Sequence, residues 1–255
     1  MQINIHPHFL KNKSSLLAMI ENFDSTGVLF GDGKRNKIKI FDFENSTFNV
    51  KSFKTPIFFN KIIYCYFKKS KAKRSYEYAL RLINYDIGTP FPVAVFENKS
   101  LIGLKDSYYV CEHIHYDFMF RDLIETDNFP DLDTILKQFA FFSFDLHQKG
   151  IEFLDHSPGN TLIKKVDGHY EFYLVDLNRM KFHDALSYER RVNNLKRLTP
   201  YKEMIAVISK EYAKLYQVDE IVFFEKLWKA TSDFQYKFYR KIRLKRFLKI
   251  GKSKA

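Results

Sequence analysis

The sequence has few cysteines and no long apolar run. Its two cysteines, Cys65 and Cys111, show neither a metal-like spacing nor the pattern of a small disulfide-stabilised domain. No stretch reaches the ~18 uninterrupted apolar residues typical of a membrane-spanning helix, and the first thirteen residues lack an apolar run resembling a signal peptide. These absences favour a protein of the reducing cytosol that is neither secreted nor membrane-spanning.

The sequence also lacks internal repeats and low-complexity linkers. At 255 residues and 45% hydrophobic composition, the chain can bury a substantial core, which argues against disorder. This length allows one large domain or two small lobes that share a cleft.

Acidic residues are missing from the C-terminal end. The formal net charge is +12, and nine basic residues but no acidic residue follow Asp233. Such a segment can bind an anionic membrane surface, remain a solvated tail, or bind nucleic acid. No recognised nucleic-acid motif accompanies it, so we expect no nucleic-acid partner and leave membrane association and an inert tail open.

Periodicity predicts a strand-rich first part and a helical second part. Strands are predicted at 37–41, 46–53, 91–96 and 108–114, with a helix at 70–84 and a turn around Asn98 and Gly103. A long helix then carries apolar residues from Ile135 to Leu146, with Asp133 as its N-cap and Gly150 just past its end. A hairpin at 162–175 and further helices follow.

This order predicts an α+β fold with a small antiparallel-sheet lobe and a larger helical lobe. We expect an N-terminal lobe at 1–113, a helical C-terminal lobe at 114–233 and a basic tail at 234–255.

Three polar residues carry the strongest chemical signal. The run Asp155-His-Ser-Pro-Gly-Asn160 is followed, after an apolar stretch, by Asp176. Kinase-type phosphoryl transfer needs a carboxylate near the acceptor hydroxyl, with an amide oxygen and a second carboxylate to hold Mg²⁺. The alternative is an ordinary turn, since these residue types favour turns, but the second aspartate in the expected context favours catalysis.

The sequence resembles the bacterial lipopolysaccharide core kinases, which phosphorylate Kdo or heptose and are distant relatives of protein kinases. The resemblance covers roughly residues 46–182. It rests on five segments: Ser70-Lys-Ala-Lys-Arg-Ser-Tyr-Glu77, Gly88-Thr-Pro90, Leu146-His-Gln-Lys-Gly150, Asp155-His-Ser-Pro-Gly-Asn160 and Val175-Asp-Leu-Asn-Arg-Met-Lys-Phe182. It implies a protein-kinase-like two-lobed fold, with ATP and Mg²⁺ as cofactors and a lipid-linked sugar as the acceptor.

The resemblance also implies roles for individual residues. Asp155 is expected to orient the acceptor hydroxyl and to accept its proton, while Asn160 and Asp176 hold Mg²⁺. Lys51 is expected to bind the α- and β-phosphates and to pair with Glu77.

Other assignments to ATP binding are less specific. Lys54 competes with Lys51, but Lys51 directly follows an apolar valine, as the kinase strand motif requires. Gly31 and Gly33 could form a turn over the phosphates, although an ordinary hairpin explains them as well. Glu112 and Ile114 are assigned to ATP binding because kinases join their lobes at this point.

The sequence departs from the kinase pattern in two places. Phe153-Leu154 stands where kinases carry a His-Arg or His-Gly pair, so an arginine that reads a phosphorylated activation loop is missing. Leu177-Asn178 replaces Phe-Gly after the metal-binding aspartate. His156 and Ser157 do not indicate a serine nucleophile, because adjacent side chains rarely point at one another usefully.

These observations predict an ATP- and Mg²⁺-dependent sugar kinase at the cytoplasmic face of the membrane. Two alternatives remain open. The first is a kinase-like enzyme that phosphorylates a protein hydroxyl or a small alcohol. The second is a pseudokinase that binds a partner without catalysis, against which the joint presence of Asp155, Asn160 and Asp176 argues.

Overall fold

The computed structural model describes residues 1–31, 33, 36–44, 46–53, 69–100 and 103–252, the last six by their backbone alone. The chain divides into two compact units. The first comprises Met1–His115 and Tyr173–Arg179, and the second comprises Tyr116–Phe172 and Met180–Ala255. The sequence placed the boundary at residue 113 and did not assign 173–179 to the first part.

An antiparallel sheet forms the first unit. Its strands are β1 (Gln2–Ile5), β2 (Val28–Phe30), β3 (Lys37–Phe43), β4 (Ser46–Phe53), β5 (Pro92–Ser100) and β6 (Gly103–Glu112), in the spatial order β1-β5-β6-β4-β3-β2. Phe48 and Val50 of β4 are buried on one face of the sheet while the half-buried Lys51 lies on the other, because alternate side chains point to opposite faces of a sheet. The predicted strands at 37–41 and 46–53 are confirmed.

The hairpin β5-β6 is longer than predicted. Asn98, which the sequence placed in a turn, lies in β5, and its Nδ2 donates to Oδ1 of Asp106 in β6 at 2.6 Å. This cross-strand bond extends the pairing beyond residue 96. Strand β1 was not predicted, and it pairs along the edge of β5.

Among the described residues of this unit, two α-helices accompany the sheet, α1 (Lys13–Glu21) and α2 (Lys71–Asn84). The predicted helix at 70–84 is confirmed, with Ser70 as its N-cap, whose Oγ accepts from the backbone N–H of Lys73 at 3.0 Å. Its buried face contains Ala72, Tyr76, Ala79 and Leu82, the helical spacing that defines an apolar stripe.

Helices dominate the second unit. They are α3 (Asp122–Glu125), α4 (Leu132–Gln148), α5 (Tyr188–Leu195), α6 (Lys202–Tyr216) and α7 (Glu220–Lys252). The strands after residue 115 are β7 (Phe118–Met119), β8 (Ile151–Phe153), β9 (Thr161–Val166), β10 (His169–Leu174) and β11 (Met180–Phe182). The core of this unit includes Phe120, Phe139, Ile163, Tyr212 and Phe223, all fully buried.

Helix α4 carries the chain into the predicted catalytic loop. Its N-cap is Asp131 rather than Asp133, which lies inside the first turn. The Asp131 side chain makes no capping bond and instead accepts from the Tyr170 hydroxyl at 2.9 Å. Gly150 follows the helix with φ +72°, as predicted, and a Cβ there would lie 1.9 Å from the carbonyl oxygen of His183.

Helix α7 is one continuous helix of 33 residues and includes most of the predicted basic tail. Phe223, Leu227 and Thr231 are fully buried, whereas no described side chain from Tyr236 to Arg246 is buried. The predicted start of the tail at residue 234 therefore coincides with no break in the helix. Within the described part of the chain, no helix is both long and apolar enough to cross a membrane.

Candidate active site

An ion pair links Lys51 and Asp176 in the first unit. Lys51 Nζ lies 2.9 Å from Asp176 Oδ1, and the two side chains are 16% and 34% exposed. Lys51 is therefore not an edge lysine pointing into open solvent, the alternative to its assignment as the phosphate-binding lysine. Its competitor Lys54 lies outside the described residues.

The backbone of Asp176 adopts a left-handed conformation, with φ +60°. A residue other than glycine is uncommon there, and such positions cluster at functional sites. Asn178 holds the carboxylate, because its Nδ2 donates to Asp176 Oδ1 at 2.6 Å while its own side chain is largely buried. The asparagine that departs from the kinase pattern thus orients the aspartate.

The Gly88-Thr-Pro90 segment fixes the strand end that precedes Asp176. The Leu174 N–H donates to the Gly88 carbonyl at 2.8 Å, and the Thr89 hydroxyl donates to the Leu174 carbonyl at 2.8 Å. The backbone N–H and the carbonyl of Leu174 are therefore both hydrogen-bonded within the first unit. This contact gives a physical role to a segment that the sequence offered only as a family resemblance.

The expected ion pair between Lys51 and Glu77 is wrong. Glu77 Oε2 instead accepts from Lys69 Nζ at 2.6 Å, and the Lys69 side chain is 58% exposed. The Lys51 charge is compensated by Asp176, so it does not require Glu77 as a partner. This pairing does not support a role for Glu77 at the phosphates.

Gly31 and Gly33 lie between the paired strands β2 and β3, with φ of +81° and +60°. Both conformations favour glycine and fit a hairpin connection. A role over the phosphates remains a prediction.

Glu112 ends β6, where its N–H donates to the Phe91 carbonyl at 2.9 Å, and Ile114 follows as a half-buried residue. Between them, His113 Nδ1 lies 3.2 Å from Asn49 Nδ2. Burial, followed by the neighbouring His115, lowers the pKa of His113. The assignment of Glu112 and Ile114 to ATP binding stays a prediction.

The predicted catalytic loop lies between β8 and β9 in the second unit. Asp155 follows β8 closely, and a 3-10 turn at Pro158–Asn160 leads into β9. Asn160 Nδ2 donates to the Asp155 carbonyl at 2.8 Å, so the amide is oriented by the residue five positions before it. The spacing between the two residues therefore has a local structural reason.

The oxygen atoms of Asn160 and Asp176 suit Mg²⁺, which prefers hard oxygen ligands. The bond from Asn160 Nδ2 leaves Oδ1 of that side chain with no hydrogen bond from another described residue. The same holds for Asp176 Oδ2, because Lys51 and Asn178 both bind Oδ1. Each residue can thus offer a metal-binding oxygen without breaking a contact.

A buried polar network supports the loop from beneath. Asn194 of α5 donates to the Phe153 carbonyl at 2.8 Å, and its Oδ1 lies 3.0 Å from His147 Nε2 and 3.2 Å from His156 Nδ1. Tyr212 completes the network, with its hydroxyl 2.7 Å from His147 Nδ1. The His156 side chain is thus buried and bonded to Asn194, which agrees with the rejection of a serine nucleophile.

Both histidines of this network are neutral at physiological pH. Burial lowers the pKa of His147 to about 3 and that of His156 to about 4. The network therefore supports the loop through hydrogen bonds between neutral groups.

Arg197 is the residue of this site that sequence reasoning missed. Its Nη1 lies 3.0 Å from Asp155 Oδ1 and 3.1 Å from the Leu154 carbonyl. It follows α5 and lies 42 positions after Asp155, so no local motif connects the two. Arg197 thus brings a positive charge to Asp155 from a distant segment of the chain.

A lysine-bearing strand, an Asp-x-x-x-x-Asn loop and a later aspartate are the parts of a kinase-like fold. The antiparallel sheet of the first unit and the helices of the second supply the matching scaffold.

Comparison with known proteins leads to the same fold. No protein-family model matches the chain, and no curated protein matches its sequence. Among the solved structures that match is one described as WaaP in complex with acyl carrier protein. It has a TM-score of 0.62 and 16% sequence identity, and the match covers 91% of this chain and 99% of that chain. The chain thus has the kinase-like fold of that structure.

Proposed function

We propose that the protein is an ATP- and Mg²⁺-dependent kinase that phosphorylates a hydroxyl group of a Kdo or heptose sugar in the lipopolysaccharide core. The observation that carries this proposal is the half-buried ion pair between Lys51 and Asp176 in a WaaP-like fold. A lysine and an acid placed in this way match the parts that kinases use at the phosphates.

In the first unit, Lys51 would bind phosphate oxygens of ATP, a role that compensates their negative charge. Asp176 would hold Mg²⁺ together with Asn160, and Asn178 would keep the Asp176 carboxylate oriented. When bound, Mg²⁺ would balance the charge on the phosphates. Gly31, Gly33, Glu112 and Ile114 remain proposed ATP contacts.

In the second unit, Asp155 would accept a hydrogen bond from the acceptor hydroxyl and take its proton as the new phosphate ester forms. Arg197 would position this carboxylate through its 3.0 Å contact. The hydroxyl oxygen would attack the terminal phosphorus, and ADP would leave with the electron pair of the broken bond.

Turnover by two variants tests this proposal. Asp155→Asn and Asp176→Asn should each nearly abolish ADP formation with a lipopolysaccharide core acceptor while the fold is preserved. Asp184→Asn, an exposed acidic residue of the second unit, serves as the matched control and should keep full activity. Near-normal turnover by Asp176→Asn would contradict the metal assignment.

The acceptor is tested separately. Mass spectrometry of lipopolysaccharide from a deletion strain should show the loss of one phosphate from a core sugar. An unchanged lipopolysaccharide, with retained ATP turnover on another alcohol, would favour the alternative kinase. Absence of ATP binding by the intact protein would favour a pseudokinase.

We also propose that the exposed end of α7 holds the enzyme at the cytoplasmic face of an anionic membrane. Eight basic residues follow Tyr239, and each can contribute ~1 kcal/mol near an anionic surface. A lipid-linked acceptor makes such placement useful. Because WaaP was solved with acyl carrier protein, that protein is a second candidate partner for the same basic segment.

A further inference from the structure

Helix α5 buries an arginine that has no acidic partner among the described residues. Only 4% of Arg191 is exposed. Its nitrogen atoms all donate to neutral oxygens: Nε to the Leu186 carbonyl at 3.0 Å, Nη1 to the Tyr212 hydroxyl at 3.2 Å and Nη2 to Gln148 Oε1 at 2.7 Å. The central carbon of the guanidinium group also lies 4.5 Å from the centre of the Tyr216 ring. A buried charge without an opposite charge is costly, and none of the roles assigned above uses it.

Arg191 extends the buried network beneath the catalytic loop and gives its bonds a direction. A guanidinium group can only donate, so the Tyr212 oxygen accepts from Arg191 and its own hydrogen is directed to His147 Nδ1 at 2.7 Å. His147 is neutral, and a neutral imidazole has one nitrogen that accepts and one that donates. With Nδ1 as the acceptor, Nε2 donates to Asn194 Oδ1 at 3.0 Å.

The other end of the chain requires the same direction. The Phe153 carbonyl can only accept, so Asn194 turns its amide nitrogen toward it, at 2.8 Å. The amide oxygen therefore faces both imidazole rings, His147 Nε2 at 3.0 Å and His156 Nδ1 at 3.2 Å, and both must donate. A group that only donates at one end and a group that only accepts at the other leave one arrangement for the four bonds between them.

Asn194 binds both ends of the turn that contains Asp155. The His156 N–H donates to the Phe153 carbonyl at 3.1 Å, which closes a four-residue turn with Leu154 and Asp155 at its centre. The Asn194 nitrogen binds the carbonyl at the start of this turn, and its oxygen accepts from the His156 ring at the end. Rotation of the amide by 180° would break both contacts. The placement of Asp155 thus depends on which way the Asn194 amide points.

We propose that Arg191 is a positioning residue for Asp155, because it fixes the direction of the hydrogen bonds that orient the Asn194 amide. The inference rests on the proposed function, in which Asp155 takes the proton of the acceptor hydroxyl. Arg191 acts from four hydrogen bonds away, through Tyr212, His147 and Asn194 to the Phe153 carbonyl. A misplaced carboxylate slows the chemical step without weakening the binding of ATP.

Arg191→Gln and Arg191→Lys form the main test. A glutamine amide can either donate to Tyr212 or accept from it, whereas lysine keeps the charge and only donates. Arg191→Gln should lower kcat roughly tenfold, the loss that one hydrogen bond produces, with little change in the KM for ATP. Arg191→Lys should recover most of this loss. Arg190→Gln changes the neighbouring arginine of α5, which binds Glu152 instead, and should keep the parental kcat.

Tyr212→Phe interrupts the same chain while Arg191 stays in place. Its kcat should fall as far as that of Arg191→Gln. The double variant should be no slower than either single variant, because the second change removes nothing once the chain is broken. Losses that multiply in the double variant, or equal losses in Arg190→Gln and Arg191→Gln, would show a general weakening of the packing and would overturn the inference.

NMR on the full-length protein tests the chain without any acceptor. With ¹⁵N-labelled histidine, the parent should show His147 with its hydrogen on Nε2 and His156 with its hydrogen on Nδ1. In Arg191→Gln a second form of His147 should appear, and the backbone N–H of His156 should exchange faster with solvent as the turn loosens. These signals persist even if the protein phosphorylates no sugar. A hydrogen on His147 Nδ1 in the parent, or a parental His156 exchange rate in Arg191→Gln, would overturn the inference while leaving the kinase function open.

Discussion

Lys51 Nζ lies 2.9 Å from Asp176 Oδ1, although 125 positions separate the two residues in the chain. The pair neutralises a half-buried lysine with the carboxylate that is proposed to bind Mg²⁺. A phosphate oxygen could compete with Asp176 for the same ammonium group. Lys51 is therefore paired with Asp176 in this structure and is proposed to bind phosphate when ATP is present. This arrangement differs from the lysine and helix-glutamate pair that the family resemblance implied.

Removal of Lys51 should therefore be far more damaging than removal of Glu77. Lys51→Met should lower kcat/KM for ATP by about two orders of magnitude or more, since the positive charge proposed to bind the phosphates is lost. Glu77→Gln should change it by less than about fivefold, because exposed ion pairs contribute little. Steady-state ADP release with a core acceptor measures both. Equal losses in the two variants would restore the original pairing as the functional one.

Asn178→Ala should loosen the Asp176 carboxylate without removing it. The variant loses the 2.6 Å contact to Oδ1, so we expect the Mg²⁺ concentration needed for half-maximal turnover to rise by roughly tenfold, the usual lower range for loss of a group that orients a metal ligand. Circular dichroism should report an intact fold. An unchanged Mg²⁺ requirement would show that Lys51 alone is enough to orient the aspartate.

Stability should fall on acidification because two buried histidines must stay neutral. Burial lowers the pKa of His147 to about 3 and of His156 to about 4, from 6.5. Between these values and 6.5 the unfolded chain binds more protons than the folded chain. The stabilisation is therefore complete above pH 6.5 and is lost as the pH falls, by about 1.4 kcal/mol per pH unit for each histidine.

Urea denaturation at pH 7, 6 and 5 checks this slope. His156→Phe should be less stable than the parent at pH 7, since a bond to Asn194 is lost, but its stability should decline less steeply toward pH 5. His169→Gln replaces an exposed histidine and should keep the parental slope. Parallel slopes for the parent and His156→Phe would show that burial of this ring is not what couples stability to pH.

The basic end of α7 should act through charge rather than chemistry. Truncation after Tyr239 removes eight basic residues and keeps Phe234, which a truncation after Asp233 would remove along with its contact to Arg197. Turnover on a soluble acceptor should be retained, while binding to anionic vesicles should fall sharply. In the intact protein this binding should weaken with salt, because exposed charges are screened over ~8 Å at physiological ionic strength.

Controls for the truncation separate the loss of charge from the shortening of the helix. Replacement of the same basic residues by glutamine should reproduce the vesicle result without shortening the helix. Equal vesicle binding by intact and truncated protein would contradict a membrane role. Loss of turnover in a folded truncated protein would mean that the end of α7 supports the second unit.

Short-range patterns were readable in the sequence because their physical cause is local. The spacing of Asp155 and Asn160 is one example, since the amide binds the Asp155 carbonyl directly. The helix at 70–84 is another, with a serine cap and an apolar stripe within one segment. Gly150 at the end of α4 follows from the same kind of rule, as glycine readily adopts the left-handed conformation found there.

Contacts between distant segments were decided only by the tertiary structure. Nothing near Asp155 indicates Arg197, which reaches it from beyond α5, and nothing near Glu77 indicates that Lys51 pairs with Asp176 instead. Each charged side chain could pair with many oppositely charged residues of the sequence. The packing of strands and helices determines which of these pairs form. The residue types and spacing of the candidate site are therefore sequence properties, whereas the partners that orient those residues are properties of the fold.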